Sequence, residues 1–157
     1  MKFVIATSNK RKLEEVSQQL SSRSNLEFRD GSVPDVSHGC DAEVMHFTLA
    51  HDRYGGRPVV GQSQVLRNSR NDGAAPIILA TPPFEAGAGL GPDKDAETER
   101  HTSRMIGMAL NAWVQSPEFP EDPSGLVCLI HIEGAGLTFG PLDAICRGLE
   151  RTMETYG

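Results

Sequence analysis

Residues 1–20 read MKFVIATSNKRKLEEVSQQL, and this stretch predicts how the fold begins. The apolar run at residues 2–6 predicts a short strand, and Thr7-Ser8-Asn9 follows it with side chains that can cap a helix. Apolar side chains then recur at helical spacing, at Leu13, Val16 and Leu20. That periodicity predicts an amphipathic helix, so the chain begins with a strand that leads directly into a helix.

Three consecutive cations, residues 10–12, lie in the first turn of this helix. The positive end of the helix dipole disfavours cations, and each exposed one costs about 0.3–1 kcal/mol there. An anion would offset this cost, because backbone N–H groups, the hydroxyls of Thr7 and Ser8 and the Asn9 amide would converge on it. We therefore predict a phosphate-binding site at residues 7–12, called here the N-terminal corner. The alternative is that Ser8 or Asn9 caps the helix and the cations form a solvated face.

The rest of the chain continues this alternation of strands and helices. The predicted strands are residues 25–29, 57–61, 76–80 and 125–132, and the predicted helices are residues 41–54 and 142–156. Residues 96–114 are either one helix or a helix that breaks near Gly107 into a strand. This order predicts a single α/β domain, residues 1–157, with a mixed sheet flanked by helices. In such folds ligands bind at the carboxyl ends of the strands.

Composition narrows the classes of function. The net charge of −6 argues against a nucleic-acid partner, because the phosphate backbone requires a basic face. The longest apolar runs fall short of the roughly 20 residues that cross a bilayer, so we expect no membrane partner. The three cysteines form no CxxC pair and follow no secretory leader, which favours a reducing, cytoplasmic location.

Residues 2–16 resemble the N-terminus of the inosine/xanthosine triphosphate pyrophosphatases, in which Thr or Ser, then Asn, then Lys open the first helix. That family binds the triphosphate at this segment. The resemblance therefore implies phosphate-binding roles for Thr7, Asn9 and Lys12, and Ser8 joins them through its hydroxyl. The resemblance continues with falling strength as far as residue 80. It implies an inosine triphosphatase-like fold with a nucleotide cleft, Mg²⁺ as cofactor and a homodimer.

The resemblance also assigns two acids. Val33-Pro34-Asp35 resembles the family's Pro-Glu, whose carboxylate lies near the metal, and Glu43 resembles an acid of the helix that follows. It thus implies that Asp35 and Glu43 hold magnesium and that Asp35 takes part in catalysis.

The sequence departs from the family where its catalytic acids would stand. The family's next strand leads into a pair of acids, and Gln62-Ser63 occupies that place here. Neither side chain holds magnesium as a carboxylate does, and neither deprotonates water at neutral pH. Asp72, or an acid of residues 93–99, would have to supply the catalytic carboxylate. The alternative for residues 93–99 is a solvated loop and the charged first turn of a helix.

The C-terminal part of the chain resembles the family only loosely. The segment from Phe139 to Asp143 resembles its base-recognition segment, while the family's Ser-His-Arg element is absent. The resemblance thus implies that Phe139 and Asp143 contact a base. Arg147, on the last predicted helix, either contacts a base or phosphate or pairs with the acids at positions 150 and 154.

Other reactive side chains have simpler interpretations. Four possible soft-metal ligands lie close together in sequence: His38, Cys40, His46 and His51. Their spacing matches no known zinc pattern, and nothing indicates a lowered pKa that would make Cys40 a nucleophile beside His38. Cys128 and Cys146 lie in apolar surroundings and are predicted to pack in the core. The glycines of residues 87–91 lack the full dinucleotide-binding spacing and predict a flexible loop.

Three functions follow, in order of preference. The first is magnesium-dependent hydrolysis of a non-canonical purine nucleoside triphosphate to the monophosphate and pyrophosphate. The second is a nucleotide-binding scaffold or regulatory subunit that keeps the N-terminal corner but has lost hydrolysis, as Gln62-Ser63 suggests. The third is an α/β enzyme acting on a phosphorylated small molecule or nucleoside, with Cys40 and the histidines carrying the chemistry.

Overall fold

The structure is a computed structural model that describes residues 1–21, 23–84 and 92–157. These residues form six strands, four α-helices and two short 3₁₀ turns. The strands are β1 (Lys2–Thr7), β2 (Leu26–Asp30), β3 (Ala42–Met45), β4 (Gln64–Arg67), β5 (Ile77–Ala80) and β6 (Val127–His131). The helices are α1 (Lys10–Leu20), α2 (Phe47–Tyr54), α3 (Lys94–Val114) and α4 (Leu142–Tyr156). The glycine-rich residues 87–91 lie outside the described residues.

All six strands belong to one sheet, in the order β2-β1-β6-β3-β5-β4. The pairs from β2 across to β5 are parallel, and β4 pairs with β5 in the antiparallel direction. This mixed sheet flanked by helices confirms the predicted α/β class. Because five strands run the same way, their carboxyl ends meet at one edge of the sheet, where ligand sites of α/β proteins lie.

Alternate residues of β1 face two different cores, as the pleat of a strand requires. Phe3 and Ile5 pack into the main core beneath α1, α3 and α4. Val4 and Ala6 pack on the opposite face, against the segment that links β2 to β3. On that same face α2 covers Met45 of β3. The helices therefore lie unequally on the two faces, three on one and α2 on the other.

The predicted strand and helix at the start of the chain are confirmed. Every residue of β1 after Lys2 is buried. Asn9 caps α1, since its Oδ1 accepts a hydrogen bond from the Lys12 backbone N–H at 3.1 Å. The helix buries Val16 and Leu20. The capping alternative is thus correct for Asn9.

The predicted helix at residues 41–54 is wrong in its first half. The spacing of Val44, Phe47 and His51 suits one helix face, yet the first of these lies in β3, between β6 and β5. A short strand buried on both faces carries apolar residues without alternation, so periodicity does not separate it from a helix. His46 caps the helix that follows, and its ring accepts a hydrogen bond from the Thr48 N–H. Glu43 consequently belongs to a strand rather than a helix.

The predicted strand at residues 57–61 is also wrong. The apolar residues that suggested it, Val59 and Val60, are exposed by 44% and 55%. The strand in this part of the chain is β4, which begins at Gln64. Gln62-Ser63 therefore precedes an edge strand instead of following a central one.

The remaining elements agree with the sequence. β2, β5, β6 and α4 lie where strands and a helix are predicted. α3 continues through Gly107 without a break, which decides between the two interpretations of residues 96–114. Cys128 and Cys146 are buried in the main core as predicted. None of the described helices has the length and apolarity that crossing a bilayer requires.

Candidate functional site

The N-terminal corner already contains an anion, the carboxylate of Glu133. Thr7 Oγ1 lies 2.6 Å from Glu133 Oε1 and 2.9 Å from Oε2. The Ser8 backbone N–H and hydroxyl donate to Oε1 at 2.9 and 3.0 Å. Lys12 Nζ lies 3.5 Å from Oε2. The two hydroxyls, a backbone N–H and the Lys12 ammonium group, all predicted to surround a phosphate, therefore surround a carboxylate of the same chain, whereas the Asn9 side chain caps α1 instead.

Chain topology brings Glu133 to this position. β1 and β6 are parallel neighbours, with Ala6 opposite His131, so Glu133 leaves β6 where the N-terminal corner leaves β1. Thr7 is fully buried, whereas the Glu133 side chain keeps 32% of its surface exposed. The carboxylate thus has one buried donor, the Thr7 hydroxyl, and is otherwise partly open to solvent.

The surroundings of Glu133 favour its ionised form. Burial raises the pKa of its carboxyl group, but the hydrogen bonds from Thr7 and Ser8 and the charge of Lys12 outweigh burial, so the pKa lies below its ordinary value. An ionised carboxylate in a cradle of donors is the arrangement expected of an anion site at a helix N-terminus.

His131 fixes the loop that carries Glu133. Its ring is 3% exposed, and Nε2 donates to the Gly31 carbonyl at 2.9 Å. Nδ1 accepts from the Gly134 backbone N–H at 2.9 Å. Together these bonds tie the residues after β6 to the residues after β2, which positions Glu133 from both sides.

The predicted ligand Glu43 lies in the interior. Its side chain is 1% exposed, and Oε1 accepts hydrogen bonds from the Ser37 hydroxyl at 2.9 Å and the Ala75 N–H at 2.8 Å. Burial raises the pKa of this carboxyl group, and the two hydrogen bonds oppose that shift only in part. Glu43 thus connects the link between β2 and β3 to the residues that precede β5.

Asp35 and Asp72, the predicted catalytic acids, lie outside the N-terminal corner. Asp35 is exposed at the start of the 3₁₀ turn Asp35–Ser37. Asp72 lies in the turn between β4 and β5, where its carboxylate accepts hydrogen bonds from the Tyr54 hydroxyl, Asn68 and the Ala74 N–H. The Tyr54 bond is the largest cause of a pKa lowered to about 2. Among the described residues, no three His, Cys, Asp or Glu side chains form a group that could hold a metal ion.

The residues predicted to recognise a base each contact another side chain of the protein. The Phe139 ring meets the His101 ring edge-on, with 4.9 Å between centroids. Asp143 Oδ1 accepts from Gln19 at 3.2 Å. Arg147 Nε lies 2.7 Å from Glu99 Oε1, so its ionic partner is on α3 and not at positions 150 or 154. The acidic residues 93–99 form the charged first turns of α3, where Asp93 caps the helix.

The histidines and Cys40 do not converge either. His38 Nδ1 lies 3.0 Å from the Asp35 carbonyl, and His51 Nδ1 lies 2.9 Å from the Gly55 carbonyl. Burial is the largest cause of a raised pKa for the Cys40 thiol, which opposes formation of a reactive thiolate. Ser63, from the Gln62-Ser63 pair, donates its hydroxyl to the Ala80 carbonyl at the end of β5.

Sequence reasoning did not find Glu133. The one available signal is its place directly after the most clearly predicted strand, two residues beyond β6. The fold and the site define an α/β protein in which donors at the carboxyl edge of the sheet hold the carboxylate of Glu133. No protein-family model matches the chain, and no curated protein matches it.

Proposed function

We propose that this protein binds the phosphate groups of a nucleotide-type ligand at the N-terminal corner, in exchange for Glu133. One observation supports this proposal above all. Four hydrogen-bonding contacts from Thr7 and Ser8, with Lys12 beside them, hold a carboxylate at the start of α1. Phosphate oxygens accept from hydroxyl, amide and ammonium donors in the same way.

The exchange is physically reasonable because the internal anion only partly offsets the local positive charge. Residues 10–12 contribute three cations, and within the described part of the chain only Lys12 has an acidic partner. A phosphate brings more negative charge than a carboxylate and could also draw on Lys10 and Arg11. Glu133 is one-third exposed, so its side chain can turn toward solvent as the phosphate enters.

The proposal is tested by thermal unfolding and calorimetric titration with inosine triphosphate, adenosine triphosphate and pyrophosphate. Lys12→Ala should weaken binding by roughly ten- to a hundredfold, since a charge-assisted hydrogen bond contributes about 1.5–3 kcal/mol. Lys94→Ala is the matched control, because Lys94 also lies in the first turn of a helix, α3. Binding that survives Lys12→Ala unchanged, or that Lys94→Ala weakens equally, would remove the proposal.

Hydrolysis of a nucleoside triphosphate is the second candidate, and Glu133 is the observation that favours it. The chain lacks the family's acidic pair at Gln62-Ser63, yet Glu133 places a carboxylate at the N-terminal corner. Magnesium in such sites is held by one or two carboxylates together with the phosphates of the substrate. The exposed Glu133 fits that role better than the buried Glu43. The catalytic roles predicted from the sequence for Asp35 and Asp72 remain predictions, because both residues lie outside the N-terminal corner.

Incubation with inosine, xanthosine and canonical triphosphates, with and without magnesium, separates the two candidates. Hydrolysis predicts pyrophosphate release that Glu133→Gln abolishes while the ligand still binds. Binding alone predicts stabilisation by the nucleotide without release. Absence of pyrophosphate release from every triphosphate would eliminate the second candidate and leave the first intact.

A further inference from the structure

A pocket that shares no residue with the N-terminal corner lies on the α2 side of the sheet. Its walls are the last turn of α2, the turn between β4 and β5, and Val33-Pro34, and Met45 forms its floor. Its volume is about 330 Å³, at the lower end of the roughly 300–1,000 Å³ typical of small-molecule sites. The pocket is therefore large enough for one ring and one small charged group, but not for a dinucleotide.

Two arginines give this pocket its charge. Arg53 comes from α2 and Arg70 from the turn between β4 and β5, and both line the cavity. Arg70 Nη1 donates to the Arg53 backbone carbonyl at 3.1 Å, which holds the Arg70 guanidinium against the end of α2. Within the described parts of the chain, neither guanidinium forms an ion pair with a carboxylate. Two guanidinium groups that line one cavity suit the oxygens of a phosphate.

Asp72 forms no ion pair with either of these arginines. Both of its carboxylate oxygens already accept hydrogen bonds, Oδ2 from the Tyr54 hydroxyl at 2.7 Å and Oδ1 from Asn68 at 2.8 Å and from the Ala74 N–H at 3.0 Å. These bonds orient the Tyr54 ring and the turn between β4 and β5. The pocket lining therefore keeps a net positive charge of one, from two arginines and one aspartate.

The other lining side chains are apolar or aromatic. Pro34 and Ala74 lie in the walls, Tyr54 contributes its ring, and Met45 is 1% exposed in the floor. Methionine sulfur makes favourable contacts with aromatic rings and adapts to their shape. A ligand ring would thus meet apolar surfaces while its charged group meets the arginines at the rim.

We propose that this pocket binds a small aromatic phosphomonoester, with its phosphate between Arg53 and Arg70 and its ring against Met45 and Tyr54. A dianionic phosphate matches two guanidinium groups better than a monoanionic carboxylate does. Glu43 supports the site indirectly, since its carboxyl group joins Ser37 to Ala75 and so connects the segments from which two of the walls extend.

The test is calorimetric titration of the full chain with phenyl phosphate, and with inorganic phosphate, phenylacetate and benzyl alcohol as partial ligands. Phenyl phosphate should bind more tightly than any of the three. Arg53→Ala and Arg70→Ala should each weaken it roughly tenfold, as expected for loss of one charge-assisted contact. Ala74→Leu should also weaken phenyl phosphate binding, because the larger side chain fills part of the cavity. Arg57→Ala is the matched control, because Arg57 is an exposed arginine just beyond α2 and outside the lining.

Several results would overturn the proposal. Absence of phenyl phosphate binding at millimolar concentration is one, and equal weakening by Arg57→Ala is another. If inorganic phosphate binds as tightly as phenyl phosphate, the apolar lining does not contribute to binding through the ligand ring. Lys12→Ala weakens the N-terminal corner only, so phenyl phosphate binding that remains in this variant belongs to the pocket, and its complete loss there would place the ligand at the N-terminal corner instead. Thermal unfolding of each variant verifies that the exposed substitutions leave the fold intact.

Discussion

The N-terminal corner and the Arg53/Arg70 pocket both present cations to a ligand, and each contains a carboxylate, but the two carboxylates are bonded differently. In the corner, Glu133 fills the cradle of donors formed by Thr7, Ser8 and Lys12. In the pocket, Asp72 is bonded to Tyr54 and the neighbouring turn and, among the described residues, forms no ion pair with either arginine. The difference shows that a carboxylate of the same chain can occupy an anion site in the absence of ligand. A strong sequence pattern for phosphate binding therefore need not mark the site that is more accessible to a ligand.

The largest effect on stability is expected from Glu133→Ala. The substitution leaves the Thr7 hydroxyl buried without its acceptor and removes the partner of Lys12, which should lower the free energy of unfolding by about 1–3 kcal/mol. Phosphate or pyrophosphate should restore part of that loss, because a ligand that binds the folded state stabilises it. Chemical denaturation with and without pyrophosphate measures both effects. Equal stabilisation of the wild type and the variant by pyrophosphate would contradict the exchange.

Glu43→Gln should change the dependence of stability on pH. Because burial raises the pKa of Glu43 in the folded state above the ordinary value of 4.5, stability should fall as pH rises from that value through the raised pKa. The variant keeps an acceptor for Ser37 and Ala75 but has no proton to lose. Across that window, the free energy of unfolding of the variant should rise relative to that of the wild type by about 1.4 kcal/mol per pH unit. Urea denaturation at several pH values tests this, and parallel pH profiles for the two proteins would refute it.

Tyr54→Phe should have a smaller effect, confined to the Arg53/Arg70 pocket. Loss of the hydroxyl removes the main cause of the low pKa of Asp72, about 2 in the folded protein, so that pKa should rise toward its ordinary value. In the wild type this contribution to stability is present above pH 3.8 and is lost as pH falls toward 2. NMR titration of the Asp72 carboxyl group measures the shift. An unchanged titration would show that Tyr54 does not orient Asp72.

Arg147→Ala should have the smallest effect of the four. Arg147 pairs with Glu99 on an exposed surface, and such pairs contribute about 0–1 kcal/mol. The variant should bind pyrophosphate and phenyl phosphate as the wild type does. A loss of nucleotide binding would instead support the base-recognition role that the sequence suggests, and competition titration distinguishes these outcomes.

Local sequence patterns predicted the parts of the fold that depend on local interactions. β1 and α1 follow from an apolar run, a capping Asn9 and helical periodicity, and β6 and α4 follow from similar signals. β3 was mistaken for a helix because its four residues are buried on both faces of the sheet and therefore show no alternation of apolar and polar side chains. Val59 and Val60 suggested a strand because an apolar run was taken as buried, and the sequence does not show that these two side chains are exposed.

The candidate sites depend on contacts between distant parts of the chain. The donors of the N-terminal corner lie together in sequence and were predictable, but Glu133 is 126 residues away from Thr7. Only the pairing of β1 with β6 brings them together. The Arg53/Arg70 pocket draws its lining from four separate segments, so no sequence motif marks it.

The exchange of Glu133 for phosphate is tested most directly by comparing pyrophosphate binding to wild type and Glu133→Gln by calorimetric titration. Glutamine keeps the size of the side chain but removes the competing charge. The account predicts that the variant binds pyrophosphate several-fold more tightly than the wild type, because less free energy is needed to displace residue 133. Pyrophosphate affinity that is unchanged or weaker in the variant would contradict the account.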